Sequence, residues 1–130
     1  MTAELFPFAE RVEEHREGGI TTVRLTPRPM GDQRFVMGIT TFPPGAAVGL
    51  HTHDTVEQVT VLQGAGMAEL NGELRPVEPF DATQIPAGDA HRIINTGDEP
   101  MRILWVYGSL HVMRTWVESG ESVEQFDLRT

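Results

Sequence analysis

The sequence predicts an all-β fold, a sandwich or a closed barrel, on three observations. About eight to ten short segments, β-branched or alternating in character, succeed one another between residues 20 and 117. Turn residues separate them at close spacing, the pattern of all-β domains rather than of strands alternating with helices. Asn71-Gly72 sits between two such segments, and this dipeptide is the strongest short-range hairpin signal.

Residues 1–19 stand apart from the rest of the chain. Their charged stretch, residues 10–17, suits a short helix ended by Gly18-Gly19, or else a packed terminal arm. Residues 20–26 are rich in β-branched side chains and begin the β pattern. Residues 27–32 form a loop. Residues 34–42 read as a strand closed by Pro43-Pro44-Gly45, and residues 56–63 alternate as another. Residues 66–70 and 73–77 flank the Asn71-Gly72 turn. Shorter strands come at 83–85 and 90–95, then 101–107 beyond the turn at residues 96–100, then 112–117. The acidic, weakly patterned residues 118–130 are expected to be a tail. The organisation expected is therefore an arm (1–19), a barrel (20–117) and a tail (118–130). Closed barrels and double-sheet wraps leave a lumen that can hold a ligand.

A chain of 130 residues with 39% hydrophobic content is enough for one domain with a sizeable core. No apolar run approaches the roughly 18 residues of a membrane span. The start, Met1 to Phe6, lacks the basic and apolar regions of a signal peptide. Cysteine is absent, so any metal must be held by nitrogen and oxygen, and a cytoplasmic setting is expected. With 19 acids against 10 bases the net charge is -9, which repels phosphate backbones and argues against nucleic-acid binding. All the bases are arginine; without lysine, Schiff-base chemistry has no residue to use.

Two spaced signatures carry the chemistry. One runs Gly45, His51-Thr52-His53, Glu57, Gly64; the other runs Pro86, Gly88, His91, Asn95. His51 and His53, two residues apart on a strand, project from one face. Glu57 shares a strand face with Val59 and Val61, which places its carboxylate inside. An unpartnered buried carboxylate is costly, and a cation is its simplest partner. His91 shares a face with Ile93 and Asn95. Three imidazoles and one carboxylate suit a divalent first-row transition metal, with water or substrate in the remaining positions. His15 and His111 lie outside both signatures and are expected to be ordinary structural histidines.

In these signatures the chain resembles the cupin superfamily. Its first motif, G-x5-H-x-H-x3-4-E-x6-G, is matched by Gly45, His51, His53, Glu57 and Gly64. Its second, G-x5-P-x-G-x2-H-x3-N, is matched by Pro86, Gly88, His91 and Asn95, but its opening glycine falls on Phe80. The resemblance implies a double-stranded β-helix, or jelly-roll barrel, with His51, His53, Glu57 and His91 as metal ligands in its mouth. It also implies a small single-domain cupin that pairs as a homodimer.

Cupins do many reactions, so function has to be read from the site. The leading expectation is an oxygen-activating, dioxygenase-type oxidoreductase acting on a small chelating substrate. Glu57 would double as a base, as resemblance to flavonol-type dioxygenases suggests. Tyr107, the only tyrosine, is a candidate hydrogen-bond donor or a rim residue. The alternatives are a non-redox Lewis-acid cupin (isomerase, lyase, decarboxylase or cyclase) and a non-catalytic metal or small-ligand binder. In the Lewis-acid case Glu57, Tyr107 and His111 are the inward acid-base candidates, and Arg34, Arg92 and Arg102 are candidate carboxylate clamps. Phe35, Met37, Ile39, Phe42, Met67 and Trp105 are the candidate apolar lining. Ligand types leave the ion open among Fe, Mn, Ni, Zn and Cu. The partners expected are a small-molecule substrate and a second copy, with no nucleic acid and no membrane.

Overall fold

The computed structural model describes residues 2–129, and these form two six-stranded antiparallel sheets. The first runs, in spatial order, β1 (Glu13–His15), β2 (Thr21–Arg24), β3 (Val36–Phe42), β10 (Met101–Tyr107), β5 (Glu57–Gln63) and β8 (Ala82–Ile85). The second runs β12 (Ser122–Asp127), β11 (His111–Trp116), β4 (His51–His53), β9 (His91–Ile94), β6 (Gly66–Leu70) and β7 (Glu73–Val77). From β3 onward the chain passes back and forth between the sheets, wrapping them into a jelly roll. Among the described residues no helix is long and apolar enough to cross a membrane.

The core lies between the inward faces. Val36, Phe42, Val59, Val61, Ile103 and Trp105 come from the first sheet; Ala68, Ile93, Val112 and Phe126 come from the second. Burying each large apolar side chain contributes roughly 1.5–3 kcal/mol, which makes this interior the main source of stability.

Three local outcomes differ from expectation. Residues 10–17 do not form a helix. Glu13, Glu14 and His15 pair with Val23, Thr22 and Thr21 as an exposed edge strand, flanked by 3-10 turns at Phe8–Glu10 and Glu17–Gly19. The stretch offers no apolar stripe to bury as a helix, whereas the edge of β2 offers backbone hydrogen bonds. The acidic stretch after residue 118 contains β12, paired with β11. Its pattern is faint because Phe126 is its only buried residue. On β3 the inward set is Val36, Gly38, Thr40 and Phe42, so Met37 and Ile39 fall on the other face. Trp105 sets this phase: it lies opposite Gly38 and fills the space where a Cβ would stand 2.0 Å from its ring.

The Asn71-Gly72 turn has φ of 50° and 86°, the positive pair that a two-residue hairpin requires. Its tip is fastened to the chain just before His91. Asn71 N donates to Ala90 O at 2.8 Å, and Ala90 N donates to Asn71 Oδ1 at 3.2 Å. Asn95, fully buried, ties the second signature to the first: Gly45 N donates to its carbonyl, and its amide donates to Phe42 O and Glu99 O. Asn95 is thus a structural fastener.

Candidate metal centre

The two sheets meet at the site. From the second come His51, His53 and His91, with His51 directly opposite His91 in the β4–β9 pair. From the first come Glu57 and Tyr107, opposite each other in the β5–β10 pair. The alternation of β4 turns both histidines inward with Thr52 between them, and that of β5 turns Glu57 inward with Val59 and Val61. All four expected ligand residues are buried.

Ring centroids of His51, His53 and His91 lie 4.5–5.1 Å apart, and one ring nitrogen from each falls within 4.8 Å of the others. Glu57 Oε1 lies 3.0 Å from His91 Nε2 and 3.5 Å from His53 Nε2. Backbone carbonyls orient two of the rings: His51 Nδ1 donates to Gly49 O at 2.7 Å and His91 Nδ1 to Asp89 O at 2.8 Å. In the neutral tautomer each then turns a bare Nε2 toward the others, the arrangement metal-binding histidines use.

The donor set fits a divalent ion on its own chemistry. His91 Nδ1 donates to Asp89 O, and the other ring nitrogen, Nε2, lies 3.0 Å from Glu57 Oε1, where without its own proton it meets the carboxylate as a second acceptor. Two acceptors so close require a proton or a cation between them. The other two rings stay neutral. Burial, helped by the positive charge of Arg114, lowers the His51 pKa to about 3. Burial, followed by the neighbouring His51 and Arg114, lowers that of His53 to about 2. Neutral imidazoles and an ionised carboxylate are the forms a metal binds.

Tyr107 is no rim residue. It is 2% exposed, its Oη lies 3.1 Å from His53 Nε2, and Gln125 Nε2 donates to that oxygen at 3.1 Å. Burial, with the charge of Glu57 second, pushes its pKa far up, so the phenol keeps its proton.

Comparison with known proteins agrees with this architecture. The Cupin domain model matches residues 38–107, more than half of the chain. The chain belongs to the cupin family. It is 32% identical to the tetracenomycin polyketide synthase protein TcmJ of Streptomyces glaucescens, over 70% of this chain and 62% of that protein. It is 30% identical to protein SchB of Streptomyces halstedii, over 83% and 79%. A shorter match, 36% identity over 43% of this chain and 27% of the relative, is to 5-nitrosalicylic acid 1,2-dioxygenase of a Bradyrhizobium species. Among solved structures, the polyketide cyclase RemF of Streptomyces resistomycificus superposes with a TM-score of 0.69 at 26% identity, covering 82% of this chain and 79% of that one. The chain spans less than two thirds of the length of TcmJ.

Three of the four expected ligand residues of this cupin, His51, Glu57 and His91, border a chamber of about 60 Å³, lined also by Phe42, Val59, Ile93, Ile103 and Trp105. Phe42 and Trp105 are where the sequence placed them. Phe35 is exposed instead, and Met37, Ile39 and Met67 do not line the chamber. Arg34 and Arg102 are exposed, and only Arg92 of the three expected clamps borders the chamber, paired with Glu69 at 2.9 Å. His111 faces away, toward Glu124 at 3.3 Å, and is no acid-base candidate for the site. Arg16, Arg114 and Gln125, which also border it, were not foreseen. Arg114 could have been found by extending the phase of β11 from Val112, since alternate residues of a strand share a face. For Gln125 no signal existed.

Proposed function

We propose that this cupin is a metal-dependent enzyme acting on a small, oxygen-rich, enolisable substrate, with His51, His53, Glu57 and His91 holding one divalent ion. The supporting observation is the clustering of three inward imidazoles, two of them within 3.5 Å of the buried Glu57 carboxylate, which pairs with no arginine among the described residues. An ion bound there supplies Lewis acidity, favouring the anionic form of a substrate oxygen. Tyr107 Oη holds a proton beside the chamber and donates a hydrogen bond to an oxygen as negative charge develops on it. Glu57 is the carboxylate that would take a proton from carbon on swinging off the ion. The apolar walls formed by Phe42, Val59, Ile103 and Trp105 keep water from competing.

Non-redox proton-transfer chemistry, of the kind that closes polyketide rings, is the reading we favour, because the longer matches carry polyketide synthase and cyclase names. Oxygen activation is the second reading, supported by the shorter likeness to a nitrosalicylate dioxygenase. A test is to offer metal-loaded protein a β-diketone in deuterated buffer, with and without air. Accelerated deuterium exchange at the α-carbon without oxygen uptake is expected. Oxygen uptake matched to substrate loss would move the assignment to the dioxygenase class, and inertness in both would leave a binding protein.

A further inference from the structure

Three arginines border the chamber, and two of them are already answered by carboxylates. Arg92 Nε lies 2.9 Å from Glu69, and Arg16 Nη2 lies 3.6 Å from Glu14. Arg114 has no such partner among the described residues. Its Nε is buried without a hydrogen bond, and its guanidinium stacks over Trp116 with Cζ 5.2 Å from the ring centroid. That stacking and the β11 pairing, in which Arg114 sits opposite His53, hold the charge beside the ligand set.

Arg114 also stands at a junction. It lines both the inner chamber of about 60 Å³ and a wider vestibule of about 610 Å³ formed with His15, Arg16, Val48 and Trp116. The inner space is far smaller than the vestibule and suits the chelating head of a ligand rather than its body. Arg16, Ile20, Val48 and Arg114 border both spaces, so a substrate whose body lies in the vestibule runs beside Arg114. Charge points the same way. A divalent ion against the single carboxylate Glu57 leaves one positive charge, and Arg114 adds a second with no counter-charge.

We propose that Arg114 is a specificity-determining residue that binds a carboxylate on the substrate, so that this cupin selects doubly anionic ligands: one oxygen head at the ion and one carboxylate at the chamber mouth. The inference rests on the metal-centre reading above and deepens it. A planar guanidinium fixed by an aromatic face is suited to bidentate carboxylate binding, and a charged hydrogen-bonded pair of this kind is worth about tenfold or more in affinity.

The test compares two hydroxamates of matched length on cobalt-loaded protein, butyrohydroxamate and its carboxylate-bearing counterpart succinohydroxamate, titrated by the visible cobalt absorption. Wild type is expected to bind succinohydroxamate about tenfold or more tightly. Arg114→Gln should bring the ratio close to one while leaving butyrohydroxamate affinity within about twofold, and Arg114→Lys should keep part of the preference. Arg92→Gln should leave it intact. Equal affinities in wild type, or a preference that survives Arg114→Gln, overturns the proposal while the metal centre stands. Failure of the wild type to take up cobalt overturns the metal centre and the proposal with it.

Discussion

Among the described residues, two groups of side chains bring possible metal-ligating atoms within 4.8 Å of one another: His51, His53 and His91 in the interior, and His111, Glu124 and Asp127 on the outer surface. By proximity alone they are equals. Their surroundings separate them. In the outer group, His111 already faces Glu124, and Arg129 answers Asp127 with two bonds of 2.9 Å, which hold that carboxyl well below the usual range. Water satisfies whatever remains. In the inner group every member is buried, two rings are aimed by backbone carbonyls, and Glu57 lies 3.0 Å from a ring nitrogen of His91 with no arginine beside it among the described residues. Unanswered donor atoms under burial make a binding site; residue types near one another do not.

The largest expected effect is on stability. Metal at about a thousand times its Kd should stabilise the protein by about 4 kcal/mol, read as a rise in the thermal midpoint. His91→Ala should lower metal affinity about 100-fold or more and abolish that rise, whereas His111→Ala should leave it unchanged. Equal loss from both variants would break the distinction between the clusters.

Next in size is a pH effect on the metal-free protein. With His51 lowered to about 3 and His53 to about 2, the unfolded state binds protons that the folded state refuses once pH falls below about 6.5. Stability is therefore complete above that pH and is lost as pH falls, by about 2 kcal/mol for each ring at pH 5. Denaturant midpoints between pH 7 and 5 measure it, and a flat profile would mean the rings are not buried neutral. The same shifts alter what a free imidazole would suggest. Protons compete with metal at these two rings only well below pH 6.5.

Tyr107→Phe should slow α-proton exchange about 10- to 100-fold with metal content unchanged, because it removes a proton donor and not a ligand. The smallest effect sharpens the contrast from outside both clusters. Phe80, where the second signature departs from glycine, is 82% exposed with φ of 75°. Left-handed backbone costs a non-glycine residue about 1–2 kcal/mol, partly offset by glycine's greater entropy when unfolded. Phe80→Gly should thus stabilise by about 0.5–1 kcal/mol without touching metal binding, read from denaturant midpoints.

Much of this was legible in the sequence because it was written locally. Positions 51 and 53 share a strand face, Glu57 repeats with Val59 and Val61, and Asn71-Gly72 supplies both positive φ values. What could not be read depends on neighbours distant in sequence. Trp105 sets the phase of β3 through Gly38, and Arg114 reaches the chamber because β11 pairs with β4. Tyr107 borders the chamber beside Glu57 through the β5–β10 register, and Gln125 reaches its hydroxyl from a strand with one buried residue. Residues 13–15 are charged on both faces and are ordered as a strand by the edge of β2.

The central claim is that one ion is held by His51, His53, Glu57 and His91. Elemental analysis of protein made without a histidine tag, alongside His51→Ala and His91→Ala, tests it most directly. About one transition-metal ion per wild-type chain is expected, and nearly none in either variant. Stoichiometric metal retained by both variants would contradict it.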